Sequence, residues 1–344
     1  MLFGPRTRFA TVCVSLLLSA LLYHPSACLA ADMEITPFRT INQRPLVQIF
    51  GLPAESSATV LPAGRSGFSL TQDVASEYTT RQTQNERIIL DGESYRWTLS
   101  ARYGIGDRFE AGIVIPYVMY GGGFLDGFIV DWHNAFNLPQ GGRDSAPKNR
   151  LNYSYSKDGI QKLDMSHADS GIGDIALNSG MKLYEASDAN FHDNVALRTS
   201  LKLPSGASRS LRGSGSTDLA LYLCGSMNNF TEWGSLGVFG SAGGMVMTKG
   251  DVLPDQQNNL AGFGTLGLGW GPAEWISFKL QLNGHTAFYR NSSLTELSTD
   301  SLMLVIGGAL KLPGDCLLDI GVSEDVAVAT APDVALHLGL SRRF

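Results

Sequence analysis

Histidine is the side chain in this sequence best suited to acid–base or metal chemistry, because imidazole titrates near neutral pH and binds metals. Beyond the first 30 residues the histidines are His133, His167, His192, His285 and His337. Their spacing forms no His-Glu-x-x-His motif, and no Gly-x-Ser-x-Gly elbow accompanies them. His337 falls on the polar face of its segment, where the pattern implies no neighbouring serine. We therefore expect no enzyme, no cofactor and no metal site.

A second set of chemically capable residues is charged and lies on the polar face of alternating segments. These candidates for lining an interior are Arg96, Arg102, Glu110, Arg198, Lys202, Lys279 and Lys311. A largely basic lining either favours anions or is neutralised by acidic side chains beside it. The spacing leaves both interpretations open.

Aromatic residues concentrate in the stretch GGGFLDGFIVDWHNAFNLPQGGR, which begins at residue 121. Four of them, at i, i+4 spacing, are Phe124, Phe128, Trp132 and Phe136. The pattern predicts an amphipathic helix over 123–137 that ends before Pro139. Downstream, LNYSYSKDGIQKLDM alternates around Asp158-Gly159, which predicts a hairpin. The aromatic face is a candidate contact for an apolar ligand, or else a lid that packs on the rim of the fold.

Strands must position these residues, because apolar side chains recur at every second position along most of the chain. In ISFKLQL, for example, Ile276, Phe278 and Leu280 share one face, and Ser277 and Lys279 share the other. About twelve such strands are expected, near 66–79, 93–104, 107–120, 171–184, 192–203, 216–228, 230–247, 259–270, 274–287, 301–312, 315–325 and 333–344.

The connections between these segments separate a membrane barrel from a soluble sandwich, which also alternates. Short connections near 104–107, 185–190 and 271–273 alternate with long ones, such as 80–89 and 121–168. Tight periplasmic turns and longer external loops are typical of outer-membrane barrels. Aromatic residues also flank the short turns, among them Tyr103, Phe109, Trp233, Trp270 and Trp275. We therefore predict an all-β fold, a single antiparallel transmembrane β-barrel with a long, helix-containing extracellular loop at 121–168.

The chain ends in ALHLGLSRRF, whose alternate residues are apolar and whose last residue is aromatic. Leu336, Leu338, Leu340 and Phe344 resemble the C-terminal signature that outer-membrane insertion machinery reads. Arg342 stands where that signature usually has an apolar residue, and its stem can snorkel to lipid headgroups.

The N-terminus has the pattern of a secretory signal peptide. Arg6 and Arg8 precede the apolar run FATVCVSLLLSALLY, and small residues precede a cleavage site after Ala30. A membrane anchor or lipoprotein cleavage before Cys28 are the alternatives. We assign residues 1–30 to the signal, 31–65 to a periplasmic or plug segment, and 66–344 to the barrel.

The charge and the cysteine content of the chain limit the classes of partner that it can bind. The formal charge is −6 and only 17% of residues are charged, so clustered bases for phosphate neutralisation are lacking and no nucleic acid is expected. The remaining cysteines, Cys224 and Cys316, are far apart and form no metal motif; we interpret them as small residues packed on strands, although a disulfide stays open.

At PFRTINQRPLVQIFGLP, WHNAFNLPQGGR and SGIGDIAL the sequence resembles the bacterial family known as domain of unknown function 3187, DUF3187. The resemblance extends over about residues 38–344 and implies a bacterial outer-membrane barrel without an established activity. More loosely, LKLPSG and GSGSTDLALYL are similar to stretches of barrels described as aromatic-compound channels.

We therefore expect a passive channel or uptake protein for small solutes, with apolar or aromatic compounds as the favoured class. The alternative is a plugged structural or surface-interaction barrel without transport. Expected partners are outer-membrane lipid, lipopolysaccharide, the barrel-insertion machinery and a small-molecule solute.

Overall fold

Most of the chain forms one antiparallel sheet that closes on itself. The computed structural model describes residues 33–54, 57–136, 142–143, 146–327 and 330–344, so the predicted signal peptide lies outside the described residues. The strands are β1 (Ser66–Gln82), β2 (Glu86–Ile105), β3 (Phe109–Gly121), β4 (Asn152–Lys157), β5 (Ile160–Met165), β6 (Asp169–Ile172), β7 (Ala176–Asp188), β8 (Phe191–Lys202), β9 (Asp218–Thr231), β10 (Gly234–Met247), β11 (Leu260–Ala273), β12 (Ile276–His285), β13 (Ser301–Leu312), β14 (Cys316–Ala327) and β15 (Val334–Arg343).

Twelve of these strands, β1 to β3 and β7 to β15, make the barrel wall. The last strand closes it by pairing with the first, from Gly67 opposite Arg343 to Ser76 opposite Val334. Closure satisfies backbone groups that an open edge would leave without partners in lipid. The predicted twelve-stranded antiparallel barrel is confirmed.

The wall buries one face of each strand and exposes the other. On β9, Ala220 and Tyr222 are buried, whereas Leu219, Leu221 and Leu223 are exposed to 47%, 52% and 50%. Such a band of exposed apolar side chains around a closed sheet is the surface that barrels present to lipid acyl chains. The alternation of apolar and polar residues along each strand therefore corresponds to the outer and inner faces of the barrel.

The largest departures from the predicted strand bounds occur at two places. The long connection expected at 80–89 is only residues 83–85, because β1 and β2 continue past the wall and β2 there pairs with β4. The strand expected at 171–184 is divided into β6 and β7 opposite Pro116 of β3. A proline offers no N–H to a neighbouring strand, so the ladder is interrupted there. Gly173 N–H still donates to the Pro116 carbonyl at 2.8 Å.

The connection between β3 and β7 contains helix α1 (Leu125–Phe136) and the β4–β5 hairpin. The hairpin turns at Asp158 and Gly159, both with positive φ (51° and 74°), as its two-residue loop requires. The predicted hairpin is confirmed. A second helix, α2 (Thr295–Ser298), and a 3-10 helix at Ser208–Ser210 lie in other connections. Among the described residues, no helix has the length and apolar character needed to cross a membrane.

The barrel end remote from the chain termini is closed by an apolar cluster, which we call the apolar cap. Its members include Ile88 and Leu90 of β2, Tyr153 and Tyr155 of β4, and Leu46, Val47, Ile49, Phe50, Phe288, Tyr289, Leu294 and Leu297 from segments outside the wall strands. Phe50 stacks on Phe288 with ring centroids 4.6 Å apart. The cap ties the part of the chain before β1 to the loops between the strands.

Candidate functional site

The residues that precede β1 run through the inside of the barrel. We call residues 33–54 and 57–61 the lumen segment, with a first arm (33–44), an apex (46–50) and a second arm (51–54 and 57–61). Its side chains include some of the most buried in the molecule, such as Phe38 and Arg44, at 0% and 1% exposure. The segment's contacts reach inward-facing residues on opposite sides of the wall. The lumen segment therefore lies within the barrel interior.

Polar contacts hold the first arm. Its backbone at Phe38 donates to Gln281 Oε1 at 2.8 Å, and Gln281 Nε2 donates back to the Phe38 carbonyl at 3.2 Å. Thr40 Oγ1 donates to Asp73 Oδ1 at 2.8 Å, and the same carboxylate oxygen lies 2.8 Å from His337 Nδ1. The arm is therefore joined to β1, β12 and β15 through hydrogen-bonding side chains. Water can replace the partners of these side chains.

Further along, the amide of Asn42 has three close polar neighbours. Its amide nitrogen lies 3.0 Å from His285 Nε2, 3.2 Å from Ser301 Oγ and 2.9 Å from the Thr330 carbonyl oxygen. Arg44 then forms an ion pair with Glu77 at 3.3 Å, and both side chains are almost fully buried. The polar path thus continues up to the edge of the apolar cap.

The charged residues predicted to line the interior do face inward, and most of them are paired. Glu110 is the centre of one network: its Oε1 accepts from Arg102 at 2.9 Å and from Arg198 at 2.6 Å. Its Oε2 accepts from the Leu61 N–H of the second arm at 2.8 Å. Arg198 Nη2 donates to the Ser57 carbonyl of the same arm at 2.7 Å. One buried carboxylate therefore joins two wall strands to the lumen segment.

Two lysines of the predicted lumen set are also paired with carboxylates. Lys202 Nζ lies 2.6 Å from Asp174 and 3.2 Å from Asp218, and Lys279 Nζ is paired with Asp319. Lys279 Nζ also donates to the Thr36 carbonyl of the first arm at 3.0 Å. Of the two interpretations of the basic lining, these contacts favour neutralisation over an open basic pore.

Lys311 and Arg96 complete the predicted lumen set. Lys311 shares the inward face of β13 with Met303 and Val305. Arg96 donates from Nη1 to the Gln48 carbonyl of the lumen segment at 3.3 Å. The side-chain partner of Arg96 is thus a neutral backbone oxygen, unlike the carboxylates that accompany Arg102, Arg198, Lys202 and Lys279.

Ionisation at the mouth of the first arm is set by its neighbours. Burial would raise the pKa of Glu34, but Arg343 beside it and a hydrogen bond from Thr59 outweigh that effect and lower the pKa below its usual value. Arg343 Nη1 lies 3.2 Å from Glu34 Oε2, and Thr59 Oγ1 donates to Oε1 at 2.6 Å. The carboxylate therefore stays charged and joins both arms to β15.

The aromatic loop residues lie away from the lumen. Glu93, which faces outward from β2, accepts the N–H groups of Phe124 and Leu125 at 2.8 and 2.6 Å and so caps the start of α1. The helix buries Leu125 and Ile129, while Phe124 and Phe128 remain 67% and 61% exposed. The side chains of Trp132 and Phe136 lie outside the described residues. Whether the aromatic face contacts a ligand stays a prediction.

The C-terminal strand presents its apolar residues outward. Leu336 and Leu338 are 39% and 45% exposed, and Leu340 has the same parity on β15. Phe344 packs edge-on against Phe68 of β1 with ring centroids 5.9 Å apart, and the Arg342 guanidinium lies 4.5 Å from the Phe344 ring. The terminal aromatic thus covers the arginine that interrupts the apolar pattern.

The sequence offered no signal for several residues that build the interior. Arg39, Thr40, Asn42 and Arg44 lie in a stretch without periodicity, so no face could be assigned to them. Cys224 and Cys316 are buried thiols at different places in the wall, and the described structure has no disulfide between them. Among the described residues, no group of His, Cys, Asp and Glu is arranged to hold a metal ion.

A closed antiparallel barrel with an apolar outer belt and a polar interior defines an integral outer-membrane β-barrel protein, located in a bacterial outer membrane. The chain belongs to the DUF3187 family, a family of proteins of unknown function, whose pattern matches residues 13–344. It matches none of the curated proteins.

Among solved structures, the COG4313 outer membrane channel from Pseudomonas putida F1 is similar, with 13% identity, a TM-score of 0.53 and coverage of 84% of this chain and 99% of that one. The translocator domain of autotransporter NalP from Neisseria meningitidis has 11% identity and a TM-score of 0.38, with 83% and 90% coverage. The Ralstonia pickettii toluene transporter TbuX has 12% identity and a TM-score of 0.34, with 83% and 90% coverage. The first similarity supports the fold, and the other two scores are too low to add to it.

Proposed function

We propose that this protein is a passive outer-membrane channel or uptake protein for small solutes, and that the lumen segment closes it. The observation that carries the proposal is the way the first arm is held. Its contacts with the wall combine a small apolar cluster, in which Phe38 packs with Met303, Val305 and Ala331, with hydrogen bonds through Thr40, Asn42 and the backbone at Phe38. Because such bonds exchange with water at little net free energy, the arm can leave the wall while the barrel stays intact.

Small apolar or aromatic compounds are the solute class that we propose first. Phe124 and Phe128 extend from α1 into solvent at the outer rim, and the Phe124 ring stacks near Tyr95 on the outer face of β2, with centroids 6.5 Å apart. Exposed aromatic rings next to the lipid belt offer a collecting surface for such compounds. The polar lumen would then discriminate among the compounds by size and charge.

Deletion of the first arm tests the channel proposal. Protein lacking residues 33–44, reconstituted into planar bilayers, should show steady conductance, whereas the complete protein should show brief openings. The apex and second arm remain in this variant, so the apolar cap keeps its contacts from Leu46 and Phe50. If the deleted and complete forms were both silent, the proposal would be overturned.

A reversible tether provides the matched control. A Cβ added at Gly237 would contact Ile35 of the first arm, closer than the roughly 3.8 Å between Cβ atoms of a disulfide. The double variant Ile35→Cys with Gly237→Cys can therefore join the arm to β10 after a small outward shift of the arm. We expect the oxidised form to be silent and the reduced form to recover the openings of the complete protein.

The second candidate function is a plugged structural or surface-interaction barrel. The apolar cap favours it, because apolar burial over the mouth is costly to undo. In that case, liposomes carrying either the complete protein or the arm deletion would not swell in solutions of small solutes. Removal of the exposed hairpin residues 157–160 would instead abolish a surface contact.

For membrane partners, we propose outer-membrane lipid and lipopolysaccharide around the belt, and insertion machinery at β15. The outward residues Leu336, Leu338, Leu340 and Phe344 support the latter. Phe344→Ala should reduce the yield of folded barrel in cells while leaving the folded fraction nearly as stable. Equal yields would argue against an insertion signal in this strand.

A further inference from the structure

A cavity of about 90 Å³ lies between the lumen segment and one side of the wall. The wall residues around it come from β1, β2, β3, β7 and β8, and the lumen segment supplies the opposite side. Since a water molecule takes about 30 Å³ in the liquid, the space suits a few waters or one small solute. It lies in the polar part of the barrel and borders the apolar cap at Ile49 and Phe50.

Two guanidinium groups border this cavity without an acidic partner. Arg39, on the first arm, donates from Nη1 to Ser69 Oγ at 2.8 Å, and Arg96, on β2, donates to the Gln48 carbonyl at 3.3 Å. Among the residues that the structure describes, neither of these arginines forms an ion pair with a carboxylate. Each guanidinium carries five N–H donors, so one neutral acceptor leaves most of its donors to the cavity.

The other charges around the cavity are already compensated. Arg102 and Lys202 are paired with Glu110 and Asp174, at 2.9 and 2.6 Å. Arg212 also lines the cavity, and its guanidinium is paired at 3.2 Å with Asp169, which lies outside the lining. Among the described residues, Arg39 and Arg96 are therefore the cations of the cavity lining that form no ion pair.

Both acidic residues in the cavity lining are engaged elsewhere. Asp73 stands directly opposite Arg96 in the strand register, yet its Oδ1 contacts His337 and Thr40. Asp174 accepts from Lys202 and from the backbone N–H groups of Gly206 at 2.8 Å and Ser214 at 3.2 Å. Neither carboxylate forms an ion pair with Arg39 or Arg96, although the charges of Asp73 and Asp174 both favour the charged form of Arg96 from a longer distance.

Burial and nearby like charges both disfavour the charged form of Arg39. Burial, followed by the nearby guanidinium groups of Arg102, Arg343 and Arg198, lowers the pKa of Arg39 to about 9. A mobile anion would relieve the repulsion, and guanidinium groups bind oxyanions through paired, charge-assisted hydrogen bonds.

We propose that this cavity is a binding site for a small oxyanion, a carboxylate or phosphate group, held between Arg39 of the lumen segment and Arg96 of the wall. The anion would bridge the first arm to β2 and so supply a counter-charge such as Glu110, Asp174 and Asp319 supply to Arg102, Lys202 and Lys279. The site does not depend on transport, and it would exist in a plugged barrel as well as in a channel.

Fluorine NMR on the purified complete protein in detergent tests the site. Trifluoroacetate is the probe, and trifluoroethanol is its neutral counterpart of similar size. We expect saturable broadening of the trifluoroacetate signal only, and inorganic phosphate should displace the probe. Arg39→Gln and Arg96→Gln should each weaken trifluoroacetate binding at least about tenfold, the usual worth of a charge-assisted hydrogen bond.

The control is Arg87→Gln, because Arg87 is on the same strand as Arg96 but is exposed outside the cavity. It should bind the probe as the unchanged protein does. Heat-modifiable migration on gels checks that each variant is folded. Competition by phosphate in the unchanged protein tests the site independently of any effect of a substitution on folding. Absence of trifluoroacetate binding, equal binding of trifluoroethanol, or equal losses in the Arg39, Arg96 and Arg87 variants would each overturn the proposal.

Discussion

The apolar cap and the polar lumen below it fill the same barrel with opposite chemistry. In the cap, residues such as Phe50, Phe288 and Tyr153 are buried against one another. In the lumen, carboxylates such as Glu110 are buried against cations and backbone N–H groups. Apolar burial contributes free energy in proportion to area, whereas buried ion pairs return little beyond their desolvation cost.

The lumen segment crosses from one environment to the other. Its apex contributes Leu46, Val47, Ile49 and Phe50 to the cap, while its arms contact the wall through hydrogen bonds, ion pairs and two small apolar clusters. Because more apolar surface is buried at the apex than along the first arm, we expect the apex to stay fixed while the first arm moves.

Loss of an aromatic ring from the cap should have the largest effect. Phe50→Ala removes a ring that stacks on Phe288 at 4.6 Å, and we expect a loss of about 3–5 kcal/mol in the free energy of unfolding. Denaturant unfolding in detergent micelles measures it. Phe128→Ala, at an exposed position on α1, is the control and should stay within about 0.5 kcal/mol of the unchanged protein. Similar losses in both variants would contradict the assignment of the cap as the stable region.

The next largest effect is expected from the centre of the lumen network. Glu110→Gln keeps the size of the side chain but leaves Arg102 and Arg198 without their counterion. We expect a loss of about 2–3 kcal/mol in the free energy of unfolding, since hydrogen bonds to charged groups are worth that much. If the variant were as stable as the unchanged protein, the pairing seen at Glu110 would not hold the second arm.

A smaller change should act on the first arm alone. Thr40→Val removes the hydroxyl that donates to Asp73 at 2.8 Å while it keeps the shape of the side chain. The loss of one neutral donor costs about 1 kcal/mol, which corresponds to about a fivefold rise in the open probability in planar bilayers. Ser69→Ala, which removes the acceptor of Arg39, should act in the same direction. Unchanged open probability in both would argue against movement of this arm.

Acidification should give the smallest effect, at the entrance of the arm. The pKa of Glu34 is lower in the folded protein than in the unfolded chain, so its stabilising contribution is complete above its usual pKa. That contribution is lost as the pH falls through the lowered value, when protonation breaks the contact with Arg343. Conductance should therefore rise slightly in acid, and Glu34→Gln should remove that dependence. An identical acid response in the variant would assign it to another group.

The sequence predicted the wall well because the wall is governed by one periodic rule. Each strand has to alternate between lipid and lumen, so the inward positions of Arg198, Lys202 and Lys279 follow from parity alone. The division of the strand opposite Pro116 was missed, although the proline itself was visible, because alternation continues on both sides of it.

The interior of the barrel could not be predicted in the same way. The arms of the lumen segment have no repeating pattern, since each residue meets a different wall strand, and contacts such as Asn42 with His285 join positions 243 residues apart. The placement of α1 depended on Glu93, an outward-facing acid whose role as a helix cap has no signature within its own strand. Parity assigns faces, but it does not assign partners.

Hydrogen-exchange mass spectrometry on the protein in lipid nanodiscs tests most directly whether the first arm moves while the apex stays fixed. Backbone amides of residues 33–44 should exchange at least about tenfold faster than those of residues 46–50, because hydrogen bonds, ion pairs and the small cluster around Phe38, rather than the larger apolar cap, oppose local opening of the arm. Equal and strong protection of both stretches would contradict this account, and it would show that the lumen segment is a permanent filling of the barrel.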